Sequence, residues 1–235
     1  FEYYDGAPPD DAPAGTSTGW RVLPFLLFVC ATDGEFVLSL KDQPDAVVGT
    51  GEGMVVPAGL AHKVDVGGKR TWGMWCHLNF TILGTVDVVS QLRVPHVIRA
   101  KETRRLAELC RQLVALHQDS GEPPLWVAAR VKELGFQFLA RLVEISEPKE
   151  EHADFLLRSR SLEPVLTYIQ HHLADSLTID RLARIACRSR SGFHQYFQEV
   201  MGKSPMEFVR SLRLRSAQVL LAGSDLQVAE IAQRV

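Results

Sequence analysis

The sequence predicts an α+β protein in which an antiparallel β-barrel with two helices precedes an all-α domain. Short β-type runs, cut by Gly, Pro and Asp turns, extend from Trp20 to about Val97. A helical period follows from Lys101 to Ile145, and amphipathic helical segments return after about Phe155. The change of apolar period from two residues to about 3.6 residues marks the change from strands to helices.

Residues 1–19 are rich in Pro, Gly and Asp and lack any period. This composition predicts a flexible N-terminal arm or an extended edge segment. The candidate strands that follow are RVLPFLLFV, EFVLSL, AVVGT, GMVVP, HKVDV and TWGMWCHLNF. Their number and spacing favour an antiparallel barrel or sandwich within a domain of residues 20–145.

Two apolar stripes at helical spacing follow the strands. They comprise Leu106, Leu109, Cys110, Leu113 and Leu116 in the first helix, and Val127, Val131, Leu134, Phe138 and Leu142 in the second. The stripes are wider than one short hairpin needs. They predict packing on the barrel and on a second subunit, as in a homodimer, with a purely intramolecular core as the alternative. Residues 146–154 are polar and mostly charged, which predicts a linker to a domain of residues 155–235.

The segment Leu177–Gly202 has the spacing of a helix-turn-helix. Its first helix has an apolar face that includes Leu182 and Ala183, and Thr178 is a candidate N-cap. The inner face of the second helix is formed by Phe193, Tyr196 and Phe197. The alternative is a purely structural role, because pairs of amphipathic helices joined by a tight turn also occur in proteins that do not bind DNA.

The outward face of the second helix carries Arg190, Ser191, His194 and Gln195, followed by Gln198. These donors and acceptors can read base edges in a major groove, so we assign the first four to DNA binding.

A second unit follows the first at a fixed distance. Ser204, Pro205 and Glu207 predict a capped helix start. Beyond that helix, Ile231 and Ala232 repeat the pairing of Leu182 and Ala183 after 49 residues. Such a repeat predicts two similar DNA-reading units joined by one long helix.

From about Leu166 to Val235 the chain resembles the AraC/XylS family of transcription regulators. The likeness rests on YIQHHLADSLTIDRLARIA, on a recognition helix ending FQEVMGKSP, and on RLRSAQVLLAGSDLQVAEIAQRV. Cys187 stands where a glycine is common in the family. The family continues with a second recognition helix beyond the point that matches Val235, so we expect this chain to be part of a longer DNA-reading surface.

The stretch GEGMVVPAGLAH, Gly51 to His62, resembles the second conserved motif of the cupin barrel. That likeness implies a hairpin whose turn directs His62 into a cavity. Metal-binding cupins need further ligands from an earlier motif, but no histidine precedes His62, and Glu35 is the nearest earlier carboxylate in a strand-like run. We therefore expect neither a metal nor another cofactor, and the alternative role of His62 is a hydrogen bond within the barrel.

Alternation along Trp72–Phe80 places Trp75 and His77 on one strand face. An aromatic ring beside hydrogen-bonding groups suits a small polar effector, with a sugar as one candidate. The family resemblance also implies that Trp75 occupies the position of a stacking tryptophan in arabinose-responsive relatives. We assign Trp75, His77 and His62 to effector binding, against the alternative that Trp75 and His77 only pack.

Charge and composition restrict the function classes. The formal charge is −2, but residues 155–235 contain eleven Lys/Arg against seven Asp/Glu, a charge of +4, and the remainder carries −6. The positive domain suits a polyanion. Four dispersed cysteines, none in a C-x2-C pair, favour a reducing cytoplasm. No apolar run reaches the roughly 20 residues of a membrane span, so we expect no membrane partner.

These observations predict an effector-responsive, sequence-specific transcription regulator and not an enzyme, because the sequence contains no catalytic arrangement of side chains. One alternative is a cupin-fold metal-dependent enzyme, such as an isomerase or oxygenase. Another is a constitutive DNA-binding protein whose barrel serves only to dimerise.

Overall fold

The computed structural model describes residues 2–68, 70–82, 86–117, 124–149, 158–224 and 226–235. The chain forms two compact units, which are described separately below. The first comprises Phe1–Phe80 with Val88–Glu147, and the second comprises Thr81–Asp87 with Pro148–Val235. The predicted linker extends over residues 146–154, of which 150–154 lie outside the described residues.

The first unit contains two main antiparallel sheets. Its strands are β1 (Glu2–Ala12), β2 (Arg21–Val22), β3 (Leu26–Asp33), β4 (Glu35–Leu40), β5 (Ala46–Gly49), β6 (Gly53–Val56), β7 (Ala61–Val66) and β8 (Thr71–Asn79). Shorter strands are β9 (Thr81–Ile82), β10 (Val86–Asp87), β11 (Leu92–Arg93), β12 (Val97–Ile98) and β13 (Glu147–Pro148), of which β9 and β10 lie in the second unit. The five-stranded sheet has the order β1-β8-β3-β6-β12, and the four-stranded sheet has the order β2-β7-β4-β5.

The two sheets differ in what covers their faces. In β3, six consecutive residues from Leu26 are buried, because one face packs on helices and the other on the barrel interior. In β7, buried and half-buried residues alternate, as expected where one face meets solvent. The predicted run RVLPFLLFV is two strands, β2 and β3. The break contains Pro24, which has no N–H to donate to a sheet.

Two helices, α1 (Ala100–His117) and α2 (Pro124–Glu144), cover the five-stranded sheet. Leu106, Leu109 and Leu113 of α1 are buried in one cluster with Leu134, Phe138 and Leu142 of α2. These six side chains belong to the intramolecular core that the sequence offered as the alternative, whereas Leu116, Val127 and Val131 of the same stripes are only half-buried. Packing on a second subunit stays a prediction. The antiparallel β-sheet domain with two helices is confirmed.

Residues Glu2–Ala12 form an edge strand, which is the second of the two alternatives that the composition left open. Strand β1 pairs antiparallel with β8, from Glu2 opposite Asn79 to Ala12 opposite Thr71. Without β1, the edge of β8 would present unpaired N–H and C=O groups. The register shifts between Ala7 and Asp10, where Pro8 and Pro9 cannot donate hydrogen bonds.

The Gly51–His62 motif connects the two sheets and does not form a hairpin. Strand β6 pairs with β3 and β12, whereas β7 pairs with β2 and β4. The turn between β6 and β7 contains Gly59 at φ +80°, a backbone conformation that glycine adopts readily. Its N–H donates to the Leu23 carbonyl (2.8 Å). The motif thus brings the chain from one layer of the barrel to the other.

The second unit is mainly helical. Its helices are α3 (Glu163–His171), α4 (Ile179–Ile185), α5 (Arg190–Met201), α6 (Pro205–Gly223) and α7 (Val228–Arg234). Its core includes Leu162, Leu166, Leu182, Phe193, Phe197 and Phe208, with Val86 from the Thr81–Asp87 segment. Within the described parts of the chain, no helix has the length and apolar character needed to cross a membrane.

Candidate functional site

The helix-turn-helix is built on a buried aromatic cluster. Phe193 and Phe197 of α5 meet edge to face at 5.5 Å, and Phe197 meets Phe208 of α6 at 5.4 Å. All three rings are buried beside Leu182 and Ala183 of α4. The cluster therefore fixes the angles among the three helices and, with them, the outward face of α5.

Short side chains cap these helices, at Thr178 and Ser204 as the sequence predicts and also at Ser189. The Thr178 hydroxyl accepts the Arg181 N–H at the start of α4, and the Ser189 hydroxyl accepts the Gly192 N–H at the start of α5. Ser204 and Glu207 form a capping box at α6, and these hydrogen bonds from Ser204 lower the pKa of the Glu207 carboxyl. Each cap satisfies an amide that the helix leaves without a partner.

The turn between α4 and α5 contains a strained residue. Cys187 has φ +52°, in the left-handed region that costs a residue with a Cβ atom about 1–2 kcal/mol. The next amide, that of Arg188, donates to the Ala183 carbonyl (3.0 Å), which closes the end of α4. Glycine adopts this conformation without strain, which explains why it is common at this position in the family that the sequence resembles.

Replacing Cys187 by glycine should stabilise the second unit by on the order of 0.5–1 kcal/mol, because relief of the left-handed strain exceeds the entropy that glycine adds to the unfolded chain. Urea unfolding followed by circular dichroism measures the change. Cys187→Ala is the matched control and should give no gain, since alanine keeps the Cβ atom. Equal stability of the glycine and alanine variants would contradict the role assigned to the backbone.

Helix α5 presents a polar face to solvent. Arg190, Ser191 and Gln195 are exposed and His194 is half-buried. Gly202, at φ +68°, ends the helix. Tyr196, which we expected on the inner face, is half-buried at its edge, where its hydroxyl donates to the Arg158 carbonyl (2.9 Å).

The outward side chains of α5 make only weak interactions within the described part of the chain. Arg190 Nε lies 3.8 Å from Asp180 Oδ1, and both side chains are more than 60% exposed. Gln195 donates to Glu199 on its own helix (3.0 Å). Exposed pairs of this kind contribute little to stability, so base edges could replace them at small cost.

The second unit of the repeat is present as far as α7. Ile231 is buried, as its counterpart Leu182 is, but Ala232 is exposed although Ala183 is buried. Gln227 and Glu230 form a capping box at the start of α7.

The barrel of the first unit contains a cavity of about 380 Å³ between its two sheets. Its apolar walls come from Leu27, Val29, Phe36, Val64, Val66 and Trp75. Its polar lining comes from Thr16, Thr18, Arg21 and His77. Gly73 also lines it, and a Cβ there would lie 2.6 Å from the Phe36 ring, so glycine allows that ring to form the wall.

Trp75 and His77 lie together on the cavity face of β8, as the alternation of the strand indicates. Their ring centroids are 4.8 Å apart, and His77 also packs against Phe25 at 4.4 Å. Met74, Cys76 and Leu78 point to the opposite face, towards α1 and α2. Both residues assigned to effector binding on this strand therefore border the same cavity.

His62 is fully buried but does not line the cavity. It lies directly opposite Arg21 in the β2–β7 pair. Its Nδ1 lies 2.9 Å from the Leu60 carbonyl, and its Nε2 lies 3.3 Å from Arg21 Nε. Since a carbonyl only accepts and Arg Nε only donates, the ring is neutral with its proton on Nδ1. Burial and, to a smaller extent, the Arg21 charge lower the pKa of His62, which fits this state.

Within the described residues, no group of three or more His, Cys, Asp or Glu side chains is placed to hold a metal ion. Cys30 and Cys110 are buried in the core, and burial raises the pKa of the Cys30 thiol to about 11. A thiol with so high a pKa is protonated at neutral pH and is a poor ligand or nucleophile.

The sequence reasoning missed Arg21 as a cavity residue. Its partner His62 lies 41 positions later, so no local motif joins them. The signal present in the sequence was Arg21 itself, because it is the one charged residue in the otherwise apolar run RVLPFLLFV.

Comparison with known proteins bears on the second unit. The profile of a family described as "Helix-turn-helix domain" matches residues 182–235. The chain is similar to the HTH-type transcriptional activator RhaS of Escherichia coli O139:H28, at 31% identity over 125 residues, 53% of this chain and 44% of that protein. It is also similar to the uncharacterised HTH-type transcriptional regulator YdeC of Bacillus subtilis, at 25% identity over 80 residues, 34% of this chain and 28% of that protein.

Solved structures resemble the chain to differing extents. ToxT from Vibrio cholerae, solved with a bound unsaturated fatty acid, aligns over 99% of this chain and 86% of its own, with a TM-score of 0.49 and 8% identity. A cupin-2 domain protein from Shewanella frigidimarina aligns over 29% of this chain and 64% of its own, with a TM-score of 0.26 and 17% identity.

The matched segments span less than half the length of these two regulators. The segment that the profile matches runs from within α4 through α5 and the long helix α6 to the start of the second repeat. The order of these elements, the matching profile and the similar regulators agree with the resemblance of this part of the chain to transcription regulators of the AraC/XylS family.

Proposed function

We propose that this chain is part of a cytoplasmic, sequence-specific DNA-binding transcription regulator, controlled by a small effector in the barrel cavity, and that it is not an enzyme. The observation that carries the proposal is the exposed polar face of α5, which the buried Phe193, Phe197 and Phe208 cluster holds in a fixed orientation. Arg190, Ser191, His194 and Gln195 would then contact base edges or phosphates in a major groove.

Gln195→Ala should remove about 1–3 kcal/mol of discrimination at one base pair, because a glutamine side chain can make two hydrogen bonds to one adenine. Duplexes selected by the wild-type chain from a random library supply the DNA. Affinity is then measured by fluorescence anisotropy at one fixed salt concentration for all single-base changes.

Gln218→Ala is the matched control, since Gln218 is also an exposed helical glutamine but lies on α6. It should leave both affinity and preference unchanged. If Gln195→Ala keeps the wild-type preference at every position, Gln195 does not read bases.

The effector would occupy the cavity beside Trp75 and His77. An indole ring offers a flat apolar surface, and the polar lining would orient the ligand. A carbohydrate is the candidate that the sequence suggested. In place of the direct ligand contact that the sequence suggested, His62 would act through Arg21, because its Nε2 accepts from that guanidinium.

We further propose a homodimer formed through a second stripe on α2. Leu125, Phe136 and Val143 are exposed, Phe136 by 61%. With Ala129, Lys132 and Leu139 they follow the alternating four- and three-residue spacing of a coiled-coil seam. A symmetric pair of such helices would cover the same stripe on both copies.

The double variant Phe136→Glu/Val143→Glu should weaken self-association on the order of 100-fold, because symmetry brings like charges together in a desolvated seam. Sedimentation velocity at micromolar concentration measures the change. Leu214→Glu, at an exposed leucine of α6, should leave association intact. A wild-type chain that is monomeric at micromolar concentration would contradict the dimer.

A further inference from the structure

The barrel cavity combines an apolar wall with one cation. Six of its lining side chains are large or branched and apolar: Leu27, Val29, Phe36, Val64, Val66 and Trp75. Arg21 is the cationic group of the lining, and the described side chains that line the cavity include no Asp or Glu. A ligand that complements this described part of the lining has an apolar body and a group that accepts hydrogen bonds from the guanidinium, such as a carboxylate.

The hydrogen bond described for the Arg21 guanidinium uses its Nε donor. Its Nε donates to Nε2 of neutral His62 (3.3 Å), and the Leu60 carbonyl fixes the opposite side of that ring. No ion pair with a described carboxylate involves Arg21, although several other arginines of the chain have one. The two terminal nitrogens of the guanidinium form the planar fork that binds a carboxylate through two parallel hydrogen bonds.

Burial also makes an anionic partner favourable. Arg21 is half-buried, and the resulting loss of hydration lowers its pKa. A carboxylate in the cavity would restore to the guanidinium the charge stabilisation that water supplies elsewhere.

The same lining is unfavourable for a sugar. Thr18 already accepts the Val64 N–H and donates to the Gly19 carbonyl, both at 3.0 Å. Few polar groups of the described lining then remain for the several hydroxyls of a monosaccharide, and each hydroxyl that is buried without a hydrogen bond costs about 1–3 kcal/mol. A ligand with its polarity concentrated at one end avoids this cost.

We propose that the effector is a small monocarboxylate with an apolar, preferably aromatic, body, whose carboxylate binds Arg21 and whose body stacks on Trp75. This inference rests on the proposed effector function of the barrel. His62 is a positioning residue, which fixes the orientation of the guanidinium without touching the ligand. A cavity of about 380 Å³ lies at the small end of the range for ligand sites, about 300–1,000 Å³, and suits a single-ring acid.

Isothermal titration calorimetry of the whole chain tests the proposal with two isosteric ligands, phenylacetate and phenylacetamide. Phenylacetate should bind at least tenfold more tightly than the amide, since only the acid carries the charge. Arg21→Gln should reduce the affinity for phenylacetate to that for the amide, and Arg21→Lys, which lacks the planar fork, should give an intermediate value. Arg104→Gln, at an exposed arginine of α1, should change neither.

Thermal melting of each variant separates lost binding from lost folding, and Trp75→Ala should weaken both ligands equally because it removes the stacking surface. Equal affinity for acid and amide, no binding of either, or tighter binding of arabinose or rhamnose would each overturn the proposal. The DNA-binding measurements with Gln195→Ala use no ligand. A failure of the carboxylate inference is thus distinguishable from a failure of the DNA-binding function.

Discussion

Replacing Phe197 by alanine should lower the free energy of unfolding of the helix-turn-helix unit by about 3–5 kcal/mol. The ring is fully buried and touches Phe193 on its own helix and Phe208 on the next. Removing the ring leaves a cavity at the point where α5 and α6 cross. The unit then loses both the hydrophobic transfer free energy of the ring and its packing contacts. Typical domains have only about 5–15 kcal/mol of stability, so DNA affinity should fall as well.

Urea unfolding followed by far-ultraviolet circular dichroism measures this loss, and the two units require a fit with two transitions. Leu214→Ala, at a leucine of α6 that is 60% exposed, should change stability by no more than about 0.5 kcal/mol. A loss below about 1 kcal/mol for Phe197→Ala would mean that the aromatic cluster does not hold the recognition helix in place.

Most of the elements could be predicted because their signals are local. The runs that became β4, β7 and β8 are bounded by turn residues, and their alternation assigns Trp75 to the cavity side. The caps at Thr178 and Ser204 likewise depend on residues within three positions of each other. Local propensity and apolar period are therefore sufficient for these features.

What could not be predicted depends on distant partners. For residues 2–12 the sequence left an arm and an edge segment open, because the choice depends on the edge of β8 some 70 residues later. Arg21 faces the cavity because it pairs with His62. The strain at Cys187 is a property of a tertiary turn, not of the residue type. In α2, the apolar period identified the buried stripe but not the second, exposed stripe through Phe136. A helical period points to one apolar side of a helix, so it does not separate two apolar faces.

That distinction between the two faces of α2 predicts the second large effect. Phe138→Ala should lower the free energy of unfolding of the barrel unit by about 3–5 kcal/mol. Its ring is fully buried, meets Phe28 of β3 edge to face at 5.5 Å and stacks on Phe80 at 6.0 Å. It therefore joins α2 to the outer face of the five-stranded sheet, and its removal leaves a cavity at that contact.

Phe136→Ala is the matched control, because it makes the same chemical change two positions earlier on the opposite side of the helix. It should alter the unfolding free energy of a monomer by no more than about 0.5 kcal/mol, but it should weaken any dimer that uses the exposed stripe. Differential scanning calorimetry at low protein concentration, where a dimer dissociates, measures the first effect alone. Equal losses for the two variants would show that α2 does not present Phe138 to the sheet and Phe136 to solvent. Both the barrel core and the dimer seam would then have to be reassigned.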